Sequence, residues 1–222
     1  MKDTVLNFVQ MKNYIIIIFV SSFFITACNG QKKKYMTERQ KNLSNEYFNA
    51  KKKFDKKYTS HFPNEILIDS SFYLSFDSEC KELILENKII DINSVENLIK
   101  QAKAIYKSTD TCLLIIDRFN TARYLDLTKL TDYDKFLIDR PCYKDRLPVP
   151  NFRYSKYADD NTGTLLSGFN LFILDANPGI YFKPNLDDEL DTYMPEYWEH
   201  GYSKGVAVNK EKDIVIYWIV IW

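Results

Sequence analysis

Glycine and histidine are scarce in this chain of 222 residues, with six and two copies respectively. Six glycines leave little backbone able to cradle a phosphate, and neither a P-loop nor a G-x-G-x-x-G pattern occurs. The strained serine elbow, G-x-S-x-G, is missing as well. With only His61 and His200 present, imidazole chemistry has two possible positions. Net charge is also absent, since 30 Lys or Arg balance 30 Asp or Glu. No apolar stretch reaches the ~20 residues a bilayer-crossing helix needs. The longest, Tyr14 to Ala27, has 14. No internal repeat is evident.

What the chain does have is core-building material. It is 45% hydrophobic and 15% aromatic, with 16 Tyr and 15 Phe. That composition excludes disorder for most of the chain and suits one globular domain. The balanced charge hides a segregation. Residues 28–60 carry ten Lys or Arg against three Asp or Glu, whereas residues 61–222 carry eighteen against twenty-six. Lys32, Lys33 and Lys34, and then Lys51, Lys52, Lys53, Lys56 and Lys57, supply most of the basic excess. Such a segment either lies on anionic head groups or serves as a solvated linker. The acidic remainder argues against nucleic-acid binding.

The first 28 residues read as an address. Lys2 and Lys12 precede the apolar run from Tyr14, and small residues follow before Cys28. That order is a positive n-region, an h-region and a cleavage point. Met11-Lys12-Asn13 offers a compact start of its own, so translation is expected from Met11 rather than Met1. On Ile25-Thr26-Ala27-Cys28 the chain resembles a bacterial lipoprotein precursor, with Ile25 where leucine is commoner. The resemblance implies a signal peptide over 1–27, acylation of Cys28 and attachment of the mature protein to a membrane of the cell envelope, inner or outer. A lipid-anchored basic tether would then run over 28–60, and a globular domain over 61–222. An ordinary secretory signal and an uncleaved anchor are the alternatives. Beyond residue 28 the resemblance implies nothing.

Cys80, Cys112 and Cys142 remain. Being three, they allow at most one bridge, and all are expected as buried or partly buried thiols.

Leu43, Tyr47, Ala50, Phe54 and Tyr58 recur at helical spacing and predict one amphipathic helix over 36–58. Ser71–Phe76 reads as a strand, with a helix or turn around 78–85. Asn93-Ser94-Val95-Glu96 resembles a capping box opening a helix that carries Val95, Leu98, Ile99, Ala102, Ile105 and Tyr106 on one face. The run 111–117 predicts a buried strand, 130–137 a short helix, and the proline-punctuated stretch 139–162 a long loop of the kind that often carries function. Strands follow near 164–167, 170–175 and 180–182, the middle one ending in the turn Asn177-Pro178-Gly179. A hairpin pairs 205–208 with 214–222 across 209–213. The last run, Ile214–Trp222, is apolar throughout, as a strand covered on both faces would be. These readings predict an α+β fold: a largely antiparallel sheet with packed helices and the C-terminal strand central in the core.

No catalytic constellation stands out. Glu196 and His200 would sit one helical turn apart beside the acidic run Asp187, Asp188, Glu189 and Asp191, but the H-x-x-E-H pattern lacks its first histidine. The run 187–191 lacks the alternating acids of a calcium loop. No metal or cofactor is therefore expected. His61 is expected at the surface. Cys142 is the most exposed thiol candidate, without a sequence signature for a nucleophile. Arg118, Arg123, Arg140, Arg146 and Arg153 flank the long loop and could meet a carboxylate or phosphate, or simply pair with nearby acids. Tyr143, Arg146, Tyr197, Trp198 and His200 are the candidate binding residues. The favoured function is a lipid-anchored, non-enzymatic binding domain, attached through Cys28 and meeting an envelope protein. An immunity-type toxin inhibitor, or a hydrolase using Glu196 with His200 or Cys142, is the alternative.

Overall fold

A computed structural model describes residues 38–67, 69–76, 80–88, 92–116, 131–159, 162–181 and 194–222. The lipobox-like segment, the acidic run 187–191, and Arg118 and Arg123 lie outside the described residues. The chain divides into two compact units, residues 1–45 and 46–222. Of the first, only the opening turns of one helix are described. The second holds the whole sheet.

Helix α1 (Glu38–Lys52) runs into this unit, and a short helix α2 (Lys56–Thr59) follows. The single helix predicted over 36–58 is thus broken. Hydrogen bonds from Lys53 N to Ala50 O and from Phe54 N to Lys51 O tighten the last turn, and Asp55 adopts extended backbone. The apolar stripe survives the break, because Tyr47, Ala50, Phe54 and Tyr58 are all buried.

Six strands form one antiparallel sheet: β1 (Ser71–Phe76), β2 (Lys81–Lys88), β3 (Ala104–Lys107), β4 (Asn170–Pro178), β5 (Gly201–Asn209) and β6 (Ile214–Ile221), in the order β1-β2-β6-β5-β4-β3. The architecture is mixed α and β, with the sheet dominant. As expected, the apolar C-terminal run is a central strand, buried at every position between β2 and β5. Helix packing is uneven. Helix α3 (Ile92–Ile99) buries Val95, whereas helix α4 (Asp132–Ile138) leaves Tyr133 68% and Phe136 51% exposed.

Because neighbours on a strand point to opposite faces, β6 serves two cores at once. Ile214, Ile216, Trp218 and Val220 join the large cluster with Leu113–Ile116, Val149, Phe152 and Phe169. From the other face Tyr217 meets Phe62, with ring centres 5.9 Å apart, while Tyr47 packs on Phe72 and Phe54 on Phe76. Irregular chain therefore covers one face, and the N-terminal helical segment covers the other. Trp218 fits because it crosses Gly205, where an added Cβ would collide with the indole. Its Nε1 donates to Ser203 Oγ at 3.3 Å, and that hydroxyl donates to Pro148 O at 2.6 Å.

Several local expectations are corrected. Residues 81–85 belong to strand β2, with Leu83, Ile84 and Leu85 buried in succession between two neighbouring strands. Helix α3 starts at Ile92, so Asn93 stands inside it rather than capping it, and it stops at Ile99. Ile105 and Tyr106 lie on β3, because Lys103 N already bonds Ile173 O and pairing with β4 takes over. The predicted strand over 111–117 does not form: Leu113–Ile116 are buried, but among the described residues the run makes only an isolated parallel bridge, Ile115 to Val149. Ile180 and Tyr181 form no strand, and β4 extends through Asn177-Pro178 before Gly179 turns at φ 131°.

Candidate binding cleft

Leaving β3, the chain meets four polar residues, Ser108-Thr109-Asp110-Thr111, before its next apolar run. Asp110 organises the turn. Its Oδ1 accepts Cys112 N at 2.8 Å, the usual way an aspartate closes a bend. Its Oδ2 accepts Arg146 Nη1 at 2.9 Å, and the Arg146 guanidinium lies 4.8 Å over the Tyr106 ring. Cys112 is bonded to Cys142 in a disulfide, with Cα atoms 5.8 Å apart. Arg140 Nη1 donates to Thr111 O at 2.8 Å. An ion pair, a disulfide and a charged hydrogen bond thus fasten the long loop to this turn.

A second turn forms the facing rim. Asp159 Oδ1 accepts both Thr162 N and Thr162 Oγ1 at 3.1 Å. Gly163 adopts φ 65°, the left-handed region that glycine enters at little cost, and its carbonyl accepts Phe152 N at 2.8 Å. Between the rims lies a cleft of about 300 Å³, with Leu113 and Ile115 as its apolar lining and Ser108, Thr109, Asp110, Thr111, Arg140, Thr162 and Thr164 as its polar lining. Ser108 Oγ is committed to Leu166 O, and Thr162 Oγ1 to Thr164 Oγ1. Arg140 uses one nitrogen on Thr111 O. Its other donors, with the hydroxyls of Thr109 and Thr111, form a patch suited to a ligand rich in acceptor oxygens.

The residues expected from sequence divide among different roles. Tyr143 is 2% exposed and Trp198 is buried, so both act in packing. Arg146 is held by Asp110 behind the cleft. Tyr197 is exposed, and its hydroxyl reaches Asp139 Oδ1 at 3.5 Å, which brings the long loop and the aromatic segment together. Partial burial, and then the neighbouring Asp139 carboxylate, push the Tyr197 pKa upward. His200 is half-buried, and its carbonyl accepts Gly179 N.

Glu196 and His200 are not on an α-helix. A single 3-10 turn, Glu196–Trp198, leads directly into β5. Among the described residues no hydrogen bond or ion pair joins the two, and no group of three His, Cys, Asp or Glu converges as metal ligands. Cys142 carries no thiol to act as nucleophile, which corrects the expectation of three unbridged thiols; Cys80 stands outside the disulfide.

His61 is also corrected, from surface to interior. It is buried between the N-terminal segment and the sheet, with Nε2 3.0 Å from Trp218 O. Loss of solvent lowers its pKa to about 3, so the ring is neutral and Nε2 donates. Nδ1 then has no hydrogen-bond partner. The cleft hydroxyls were missed by motif reasoning. Ser108, Thr109 and Thr111 are signalled only by a polar quartet set between apolar segments, and Thr162 and Thr164 by nothing in the sequence pattern.

Comparisons with protein-family models, with curated proteins and with solved structures found no match to this chain.

Proposed function

We propose that this protein is a lipoprotein of the bacterial cell envelope, acylated at Cys28, whose folded domain is a non-enzymatic binding module. The observation that carries the reading is the lipobox-like Ile25-Thr26-Ala27-Cys28 behind a short apolar leader. The Cys112–Cys142 disulfide supports export, since such bonds persist in oxidising compartments and are rare in the cytosol. More than one acyl chain anchors stably, each buried methylene contributing about 0.8 kcal/mol.

The domain's contribution is a partner site. The cleft offers donors from Arg140, Thr109 and Thr111 on a rim braced by covalent and ionic cross-links, so little order is lost on binding. Tyr197 and the exposed face of α4 add aromatic surface. The partner is an envelope component that presents carboxylate or other acceptor oxygens.

Two experiments test this. Metabolic acyl labelling with membrane fractionation should place wild type in membranes with alkali-releasable label. Cys28→Ser should lose the label. A Cys28→Ser protein that still labels removes the anchor. For the cleft, a photo-crosslinker at Thr109 should capture a partner that Arg140→Glu abolishes, while a crosslinker at Lys210 should capture nothing comparable. Equal capture from both positions removes the cleft.

A further inference from the structure

An acyl anchor holds a domain near a bilayer without fixing how it faces the surface. The sheet face covered by the N-terminal segment carries a second feature. Lys52, Lys53, Lys56 and Lys57 are exposed within six residues, opposed there only by Asp55. Lys51, by contrast, is turned inward, its Nζ donating to the carbonyls of Phe62 and Pro63 at 3.1 Å. Phe76, 39% exposed at the end of β1, packs on Phe54 and lies under two ammonium groups, Lys53 at 5.0 Å and Lys81 at 5.8 Å. Lys57 sits 4.8 Å over the Tyr58 ring, and Phe48 on α1 is 36% exposed.

We infer that this basic, aromatic face lies against an anionic phospholipid surface. Three observations favour lipid as its occupant. Ammonium groups gathered around the partly exposed Phe76 ring match the water–bilayer boundary, where an aromatic ring enters the apolar layer and ammonium groups stay among head groups. Charge is complementary: residues 61–222 carry twenty-six acids against eighteen bases, so repulsion turns the rest of the domain away from the same surface. Finally, the chain delivers the face to the bilayer. Glu46, where the compact unit begins, follows Cys28 by 18 positions, a reach of at most about 60 Å. Tethering at that range raises the local concentration of lipid enough for weak contacts to count. The consequence is orientation. The cleft belongs to chain covering the other face, so the sheet stands between membrane and partner.

This inference rests on the proposed acylation, and the test separates the two. The intact protein, purified from membranes, is reconstituted in vesicles of phosphatidylcholine alone or with phosphatidylglycerol added, and amine acetylation is read lysine by lysine by mass spectrometry. On phosphatidylglycerol, labelling of Lys52, Lys53, Lys56 and Lys57 should fall at least about threefold and recover in high salt. Lys210 and Lys212, at the opposite end of the sheet from Phe76, should not change. Replacing the four lysines by Gln should leave the protein anchored but remove the difference between vesicles at Lys81. An acylated protein whose four lysines label equally on both vesicles overturns the surface and keeps the anchor. A chain with an unmodified Cys28 whose lysines are still protected overturns the anchor and keeps the surface.

Discussion

The two faces of the sheet are covered by different means. The N-terminal face is closed by aromatic side chains on helical turns, with one neutral histidine sealed beneath them. The opposite face is closed by irregular chain, which buries Leu113–Ile116, Val149 and Phe152 and is held by a disulfide and an ion pair. A helix satisfies its own backbone and needs only an apolar stripe. Irregular chain must be stapled, and the stapled face is the one with a cleft. The cleft is thus braced by cross-links, whereas the basic face is held by packing.

Removing the strand shared by both faces should have the largest effect. A chain ending at Asp213 lacks β6 and should yield no folded protein; soluble, protease-resistant material would contradict the central placement of that strand. Trp218→Ala comes next. It empties the site over Gly205 and strips Ser203 Oγ of a partner, at a cost of about 3–5 kcal/mol in denaturant unfolding. The disulfide closes a loop with a sequence separation of 30, so Cys112→Ser with Cys142→Ser should cost about 3–4 kcal/mol. Proteolysis should then begin in the stapled face, while segment 46–62 stays protected.

The N-terminal face has its own signature in pH. His61 has a folded pKa of about 3 against 6.5 for an ordinary histidine. The unfolded chain therefore takes up the proton first. Stability is complete above pH 6.5 and falls with pH below it, by about 1.4 kcal/mol per unit for this group, levelling off near pH 3. His61→Gln should be flatter over that window in parallel acid titrations followed by near-UV circular dichroism. Matching slopes would show that the ring is hydrated. The smallest effect belongs to the stapled face: Arg146→Met breaks the part-buried pair with Asp110 and should cost about 1 kcal/mol.

Two apolar runs mark how far the sequence could be read. Ile214–Trp222 is a nine-residue run behind an obvious turn, and its burial between two strands follows from composition alone. Cys112–Ile116 looks the same locally yet gains a single bridge, because Asp110 and the disulfide hold its entry in a turn. The disulfide joins positions with a sequence separation of 30 and leaves no periodic trace. Tyr106 shows the same limit: helical spacing assigned it to a helix, and pairing with β4 overrode the pattern. Arg140 entered the sequence reading only as one of five arginines around the long loop, and the cleft hydroxyls become a group only when residues 108–111 meet 162–164 across the fold.

The most direct measurement is the intact mass of the N-terminal peptide of the protein isolated from its native membrane. Acylation at the envelope requires that peptide to begin at Cys28 and to carry glyceryl-linked acyl mass. A peptide that retains residues 11–27, with Cys28 an unmodified thiol, would contradict it.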